Sequence, residues 1–138
     1  MLINQLSNTS KTLSIACPCQ SGKPYISCCK PFHQSTPAPN AELLMRSRYT
    51  AYVLQLEQYL LSTWHADTRP AALNLINDNA RKWLGLTIKR SESIGENTAI
   101  VEFVARYKDG GSKAERLHEV SNFILLDRWY YVDGRFVS

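Results

Sequence analysis

The sequence predicts an α+β protein in which helices pack on a curved antiparallel sheet and a small metal-binding element comes before them. Three features of the chain lead to this prediction. All four cysteines lie within thirteen residues, an amphipathic helical period follows Asn40, and the apolar period becomes two after Ala80. Helices that precede a run of strands are typical of α+β domains, in which one face of the sheet covers the helices.

Length and composition favour one core with a small appendage. The chain has 138 residues, of which 44% are hydrophobic and 20% charged, and its formal net charge is +4. No run approaches the eighteen apolar residues of a membrane-spanning helix. The positive charge is scattered, which argues against nucleic-acid binding. Residues 1–16 lack the apolar centre of a signal peptide, and clustered thiols suit a reducing compartment, so we expect a cytoplasmic protein.

The cysteines form a C-x-C pair that is followed by an adjacent C-C pair: Cys17, Cys19, Cys28 and Cys29. Four thiolates suit tetrahedral Zn²⁺ and leave no position for water. Pro18 restrains the backbone between the first two ligands, and the turn at 21–23 returns the chain. His33 lies four residues after the last cysteine and is an alternative fourth ligand. A disulfide cluster is a less suitable interpretation because the sequence lacks a signal peptide. A redox pair is less suitable because the cysteine spacing is not C-x-x-C.

Four segments are predicted along the chain: a loose tail at 1–15, a knuckle at 16–34, a proline-rich connector at 35–39 and the main domain at 40–138. The knuckle is too short for an apolar core of its own, so the metal would supply its folding energy. A stiff connector would hold it at a restricted distance from the main domain. The sequence therefore predicts that chelation unfolds the knuckle and leaves the domain beyond Asn40 intact.

One long amphipathic helix is predicted to start after Asn40, a good N-cap, with Glu42 in the first turn. Its apolar residues recur at spacings of three and four: Met45, Tyr49, Tyr52, Leu56 and Leu60. The pair at 64–65 is predicted to close it. A second helix is predicted from about 67–70 to 77–79.

Strands are predicted for the second half of the chain. Leu84, Leu86 and Ile88 alternate with polar or aromatic neighbours in the first strand, and a turn follows at 95–97. Two longer strands at about 98–107 and 114–126 flank a Gly-Gly turn, and the last strand begins at Trp129. A meander of this kind predicts an antiparallel sheet that curls around the first helix.

Charged residues of the sheet are candidates for a pocket. Glu102 and Arg106 share one strand face, and a hairpin centred on 110–111 sets Glu102 opposite Glu119. A register shifted by one residue sets it near His118 instead. Either arrangement suits an acid/base or ligand site. The interpretation that we favour is a structural ladder of ion pairs, whose disruption is strongly destabilising if the pair is buried.

The first helix adds Arg48, one turn from Tyr52. Arg48 is either an anion clamp at the mouth of a cone or, as we favour, the partner of a carboxylate on the sheet. The candidate pocket residues are therefore Arg48, Tyr52, Glu102, Arg106, His118 and Glu119. No residues are assigned a catalytic role, because no nucleophile and base stand in a recognisable local motif.

Two resemblances extend this interpretation. Cys17-Pro18-Cys19-x-Ser21-Gly22-Lys23-x-Tyr25-x-x-Cys28-Cys29 resembles the SEC-C motif, the zinc-binding element of the SecA translocation ATPase and of other bacterial proteins. Its last ligand is often His, and the cysteine here is similar to the CC form. Further segments resemble the bacterial YchJ-like family: 38–49, 63–65, 68–70, 101–107, 118–123 and 129–134.

The resemblance implies a zinc-binding SEC-C knuckle followed by a cone-shaped domain of NTF2-like fold. It favours a non-enzymatic interaction or docking module, because the SecA-type knuckle docks a chaperone and ribosome or lipid surfaces. It also implies a homodimer, since NTF2-like domains commonly pair through the convex sheet. The alternative is a small-molecule enzyme or ligand binder that uses the cone. A filled cone would favour docking, whereas an open cone with an acid inside would favour ligand binding.

Overall fold

A computed structural model describes residues 15–77 and 80–138 and has the predicted α+β architecture. Its helices are α1 (Lys30–Gln34), α2 (Ala41–Leu54) and α3 (Glu57–Ser62). Its strands are β1 (Arg81–Ser93), β2 (Thr98–Asp109), β3 (Glu115–Leu125) and β4 (Trp129–Phe136). Single 3₁₀ turns occupy Tyr25–Ser27 and Leu75–Asn77. All but the last residue of the predicted N-terminal tail lie outside the described residues.

The four strands form one antiparallel sheet in the order β1-β2-β3-β4, which confirms the predicted meander. The strand register is irregular between Trp83 and Gly85, between Ile88 and Arg90, and between Asn122 and Phe123. Irregularities of this type bend a strand and increase its twist. The sheet therefore curves, and its concave face receives α2.

Helix α2 begins as predicted and ends earlier than predicted. Asn40 Oδ1 accepts a 2.8 Å hydrogen bond from the Leu43 amide, so Asn40 is the N-cap. Gln55 has a left-handed conformation with φ of 58°, and the Leu56 amide donates to the Ala51 carbonyl at 2.8 Å. This is a Schellman-type C-cap, which usually uses glycine. The prediction of one helix through Leu60 is wrong, because the chain turns here and α3 packs back on α2.

The predicted second helix is also wrong, because most of its residues form a loop that is held first by β4 and then by α3. The His65 amide donates to the Tyr131 carbonyl at 2.7 Å, and Thr68 Oγ1 donates to the Val132 carbonyl. Glu57 accepts the Leu73 and Leu75 amides further along. These tertiary bonds satisfy backbone groups that a helix would satisfy internally. Residues 78 and 79 lie outside the described part of the chain.

The knuckle shares one apolar core with the helix and the sheet. Its four cysteines pack in the same cluster as Leu44, Tyr49, Leu86 and Phe103. The cysteine-bearing segment therefore packs directly on the main domain, instead of standing off at the end of the connector. Within the described residues, no helix has the length and apolar character needed to cross a bilayer.

A side-chain bridge fixes the knuckle to the outer edge of β1. Gln20 Oε1 accepts the Leu86 amide at 3.0 Å and Arg106 Nη2 at 3.1 Å. A Cβ on Gly85 would lie 2.5 Å from Gln20 Oε1 and would overlap the Arg106 guanidinium. Glycine at position 85 thus allows a strand of the sheet and the knuckle to approach this closely.

Candidate metal centre and concave cavity

The four cysteine sulfurs form a compact, buried cluster. All four Sγ atoms lie within 4.8 Å of one another. Two of the separations are 3.6 Å, from Cys19 to Cys28, and 4.0 Å, from Cys28 to Cys29. A tetrahedral ion with metal–sulfur bonds of about 2.3 Å sets its ligands about 3.8 Å apart. The cysteines are only 0–7% exposed. The donor set therefore fits a closed tetrahedral metal site.

A short hairpin brings the two cysteine pairs together. The Cys17 amide donates to the Lys23 carbonyl at 2.9 Å, and the Tyr25 amide donates to the Ile15 carbonyl at 2.8 Å. Gly22 turns the chain with φ of 91°, a conformation that costs glycine little. The 3₁₀ turn at Tyr25–Ser27 then delivers the second pair to the start of α1. Local turn chemistry thus accounts for the C-x-C…C-C spacing.

Polar groups around the cluster support sulfur that carries negative charge. Ser21 Oγ lies 3.1 Å from Cys28 Sγ, and Thr50 Oγ1 donates to Cys29 Sγ at 3.5 Å. Hydrogen bonds from Cys17 and Cys29 lower the pKa of the Cys19 thiol, whereas burial raises the pKa of Cys28. Without a metal, protons must neutralise the charge of the clustered thiolates. A divalent cation would compensate this charge instead.

Two of the groups near the cluster were missed by the sequence prediction. Thr50 comes from the middle of α2, and Arg46 Nη1 donates to the Cys19 carbonyl at 2.9 Å. Both are more than fifteen residues from the nearest cysteine in sequence. No local motif marks them, because helix α2 reaches the knuckle only in the folded chain.

His33 lies outside the sulfur cluster and joins the knuckle to α2. Its Nε2 atom donates to the Ser47 carbonyl at 2.8 Å, and its Nδ1 atom accepts the Tyr25 hydroxyl at the same distance. Both ring nitrogens are thereby occupied in the neutral tautomer. Burial lowers the pKa of His33, which favours this neutral form. In the structure, His33 is therefore not placed as the fourth ligand.

A cavity of about 520 Å³ lies between α2 and the concave face of the sheet. Three of the six predicted pocket residues line it: Arg48, Tyr52 and Glu119. The sequence prediction missed Ser121 and Tyr131, which also line it. The inward position of Glu119 and Ser121 follows from the alternation of β3, since both share a face with the buried Phe123.

Arg48 is buried on the wall of this cavity, with 3% of its surface exposed. Its Nη1 atom donates to the Leu60 carbonyl at 2.8 Å and to Thr63 Oγ1 at 2.7 Å. The guanidinium also lies 4.5 Å from the ring centre of Tyr131. Burial lowers the pKa of Arg48. Among the residues that the structure describes, no carboxylate lies within salt-bridge distance of Arg48, but the charge of Glu119 on β3 favours its charged form. The predicted pairing with a carboxylate of the sheet is therefore present only as a longer-range attraction.

Glu119 places an acid inside the same cavity. Its Oε2 atom accepts a 2.6 Å hydrogen bond from Ser121 Oγ, and its carboxylate lies against the backbone of Gly134. A side chain at position 134 would overlap it. Burial raises the pKa of Glu119, because the charged form loses water.

Glu102, Arg106 and His118 lie on the opposite, convex face, so their prediction as pocket residues is wrong. The register pairs Glu102 with Val120 and Phe103 with Glu119, which rules out the predicted Glu102–Glu119 pair. His118 Nε2 is 2.7 Å from Glu102 Oε2, across a diagonal of the strand pair.

The predicted ion-pair ladder is present only in part. It contains Arg90, Glu102 and His118, and the hydrogen bond from His118 lowers the pKa of Glu102. Arg106 instead donates to Thr87 Oγ1 at 3.2 Å and to Gln20.

We expect Glu102→Gln to melt close to the parent protein. Its two ion pairs lie at the surface, where screening and side-chain entropy cancel most of the attraction. Thermal melts at low and high salt measure this effect. Arg116→Met, an exposed convex-face substitution, is the matched control. A large, salt-dependent loss of stability in Glu102→Gln alone would contradict the expectation.

Comparisons with known proteins agree with these features. The family described as "YchJ, middle NTF2-like domain" matches residues 40–134. A UPF0225 protein of Chromobacterium violaceum is 52% identical over 132 residues, covering 91% of this chain and 96% of that protein. A UPF0225 protein of Bordetella parapertussis is 51% identical over 123 residues, covering 86% and 91%.

A solved structure with the same architecture carries the motif as well. The solution structure of RPA3114, a SEC-C motif containing protein from Rhodopseudomonas palustris, superimposes with a TM-score of 0.80 at 33% identity. The match covers 90% of this chain and 100% of that one. The chain therefore belongs to the YchJ-like UPF0225 family, with a SEC-C cysteine motif followed by an NTF2-like domain.

Proposed function

We propose that the protein is a non-enzymatic binding protein: Zn²⁺ holds the knuckle on the domain, and the concave cavity receives a small molecule. The observation that carries the proposal is the cavity itself, which contains a buried arginine and an acid. The sequence favoured docking over ligand binding. An open cone with an acid inside is the feature expected of a ligand binder. Because the cavity has this feature, we favour ligand binding over docking.

Zinc is the metal that suits this donor set best. Four thiolates in tetrahedral geometry select Zn²⁺ over the hard cations, which prefer oxygen ligands. With all four positions filled by Cys17, Cys19, Cys28 and Cys29, no position is left for water or substrate. The role of the metal would therefore be structural, namely to stabilise the folded knuckle. A reducing compartment such as the cytoplasm would keep the thiols available.

Binding in the cavity can be followed at Trp83, which lines it, whereas Trp129 does not. The metal-loaded full chain is titrated with a panel of anionic, neutral and cationic aromatic fragments, and the indole N–H resonances are recorded by NMR. We expect at least one fragment to shift Trp83 and leave Trp129 unchanged. If every fragment leaves Trp83 unchanged in the folded, metal-loaded protein, the proposal fails.

Two neighbouring positions on α2 provide a matched pair of variants for this experiment. Val53 lines the cavity, whereas Leu54 is exposed and does not. Val53→Phe adds volume at the cavity and is expected to weaken the Trp83 response. Leu54→Phe adds similar volume outside the cavity and should preserve it.

A second candidate function is docking of a protein partner, including a second copy of this chain. Phe136 exposes 73% of its surface at the end of β4, and β4 is an edge strand, where a second chain can pair with the sheet. Light scattering at several protein concentrations tests the homodimer. A constant monomer mass would contradict it.

A further inference from the structure

Arg48 has donors that the protein does not use. Both of its protein hydrogen bonds come from Nη1, and no acceptor among the described residues takes a bond from Nε or Nη2. The side chain is nevertheless almost wholly buried and lines the cavity. The charge of Glu119 attracts Arg48, but no described carboxylate contacts the guanidinium, and a buried cation is costly unless acceptors satisfy its remaining donors. A ligand with an acidic group would do so.

Glu119, the acid in the lining of the same cavity, has an acceptor that the protein does not use. Glu119 Oε2 accepts from Ser121, and no described residue donates to Oε1. Arg48 and Glu119 attract each other but do not form a salt bridge, so each keeps a free hydrogen-bonding group that can meet a different part of one ligand. A single ligand would then carry an acceptor at one end and a donor at the other.

Aromatic side chains form part of the wall of the same cavity. Tyr52, Trp83 and Tyr131 line the cavity, and the Tyr52 and Trp83 rings lie 6.0 Å apart. A sphere of 520 Å³ is about 10 Å across, room for a one-ring molecule with a substituent at each end. Lys82, which is exposed, adds positive charge at the mouth. This charge favours the entry of an anion.

We infer that the cavity takes an aromatic carboxylic acid that also carries a hydroxyl group. Its carboxylate would accept from Arg48, its ring would pack on the aromatic wall, and its hydroxyl would donate to Glu119. This inference rests on the proposed function and narrows it to one class of ligand.

The test compares three probes of nearly equal shape. The metal-loaded full chain is titrated with 4-hydroxyphenylacetate, with its neutral amide and with phenylacetate, and the Trp83 indole resonance gives each dissociation constant. We expect the hydroxy acid to bind about tenfold more tightly than the amide, because a charge-assisted hydrogen bond is lost. Phenylacetate, which lacks the hydroxyl, should bind severalfold more weakly than the hydroxy acid.

Variants assign each preference to its residue. Arg48→Met is expected to abolish the preference for acid over amide, whereas Arg116→Met, at an exposed arginine on β3, should retain it. Glu119→Leu is expected to remove the preference for the hydroxyl and to keep the preference for the acid. This second variant keeps the test decisive if Arg48→Met does not fold.

The outcomes separate this inference from the proposed function. If the acid and the amide shift Trp83 with equal affinity, the ligand class is wrong and the cavity remains a binding site. If the amide binds more tightly, the role of Arg48 is wrong. If neither these probes nor the wider fragment panel shifts Trp83, the proposed function fails as well.

Discussion

Removal of the metal is expected to unfold the main domain together with the knuckle. The cysteines share an apolar cluster with Leu44, Tyr49 and Phe103, so a disordered knuckle would expose one side of that core. Structural zinc contributes about 10–16 kcal/mol in small zinc-binding peptides, and a whole domain is stable by about 5–15 kcal/mol. Loss of the first quantity is enough to exhaust the second.

The three tryptophans allow the two parts to be observed separately. All of them lie beyond Asn40, so tryptophan fluorescence reports on the main domain alone. Trp83 is the most direct probe, because its ring lies 5.9 Å from that of Tyr49 in the shared core. We expect metal release, followed with a chromogenic chelator, and the fluorescence change to coincide. An unchanged fluorescence after complete release would show that the knuckle unfolds alone.

Elemental analysis and two substitutions complete this experiment. Protein purified under reducing conditions should contain one zinc ion per chain. Cys29→Ser removes a ligand and should lower both the metal content and the melting temperature. Ser27→Ala, at an exposed position of the same knuckle, should change neither. Protein that is purified under reducing conditions and nevertheless lacks metal and contains a disulfide would contradict the zinc site.

The sequence predicted the strands and the start of α2 because their determinants are local. Apolar alternation marks β1 to β4, and the Asn40 side chain caps its own helix. The end of α2 depends instead on Gln55, whose side chain donates to the Leu75 carbonyl, twenty residues away. No glycine marks this C-cap, so the apolar period alone predicts one helix through Leu60.

The location of the candidate pocket could be predicted only in part. The hairpin between β2 and β3 allows more than one register, and the predicted registers set Glu102 opposite Glu119 or beside His118. The buried Phe123 on β3 contained the missing information, because it places Glu119 on the concave face and His118 on the convex face. Arg48 was found from the sequence, but its bonds to Leu60 and Thr63 depend on the unpredicted turn before α3.

His33→Ala is expected to destabilise the protein strongly while leaving its metal content unchanged. The substitution removes hydrogen bonds to the Ser47 carbonyl and the Tyr25 hydroxyl, and it removes the ring that packs 4.7 Å from that of Tyr59. Each buried group left without a partner costs about 1–3 kcal/mol. With the lost packing, we expect about 3 kcal/mol in total, or a melting temperature lower by about 10 °C.

Tyr25→Phe separates the two hydrogen bonds of His33. It removes the bond to Nδ1 and leaves both rings and the Ser47 bond in place, so we expect a loss of about 1 kcal/mol. Thermal melts and zinc analysis of both variants decide whether His33 is a metal ligand or a structural contact between the knuckle and α2. If His33→Ala released the zinc while Cys29→Ser retained it, the fourth ligand would be His33. Retention of zinc at lowered stability would instead mean that His33 supports the metal centre by fastening α1, which follows the last cysteine, to α2.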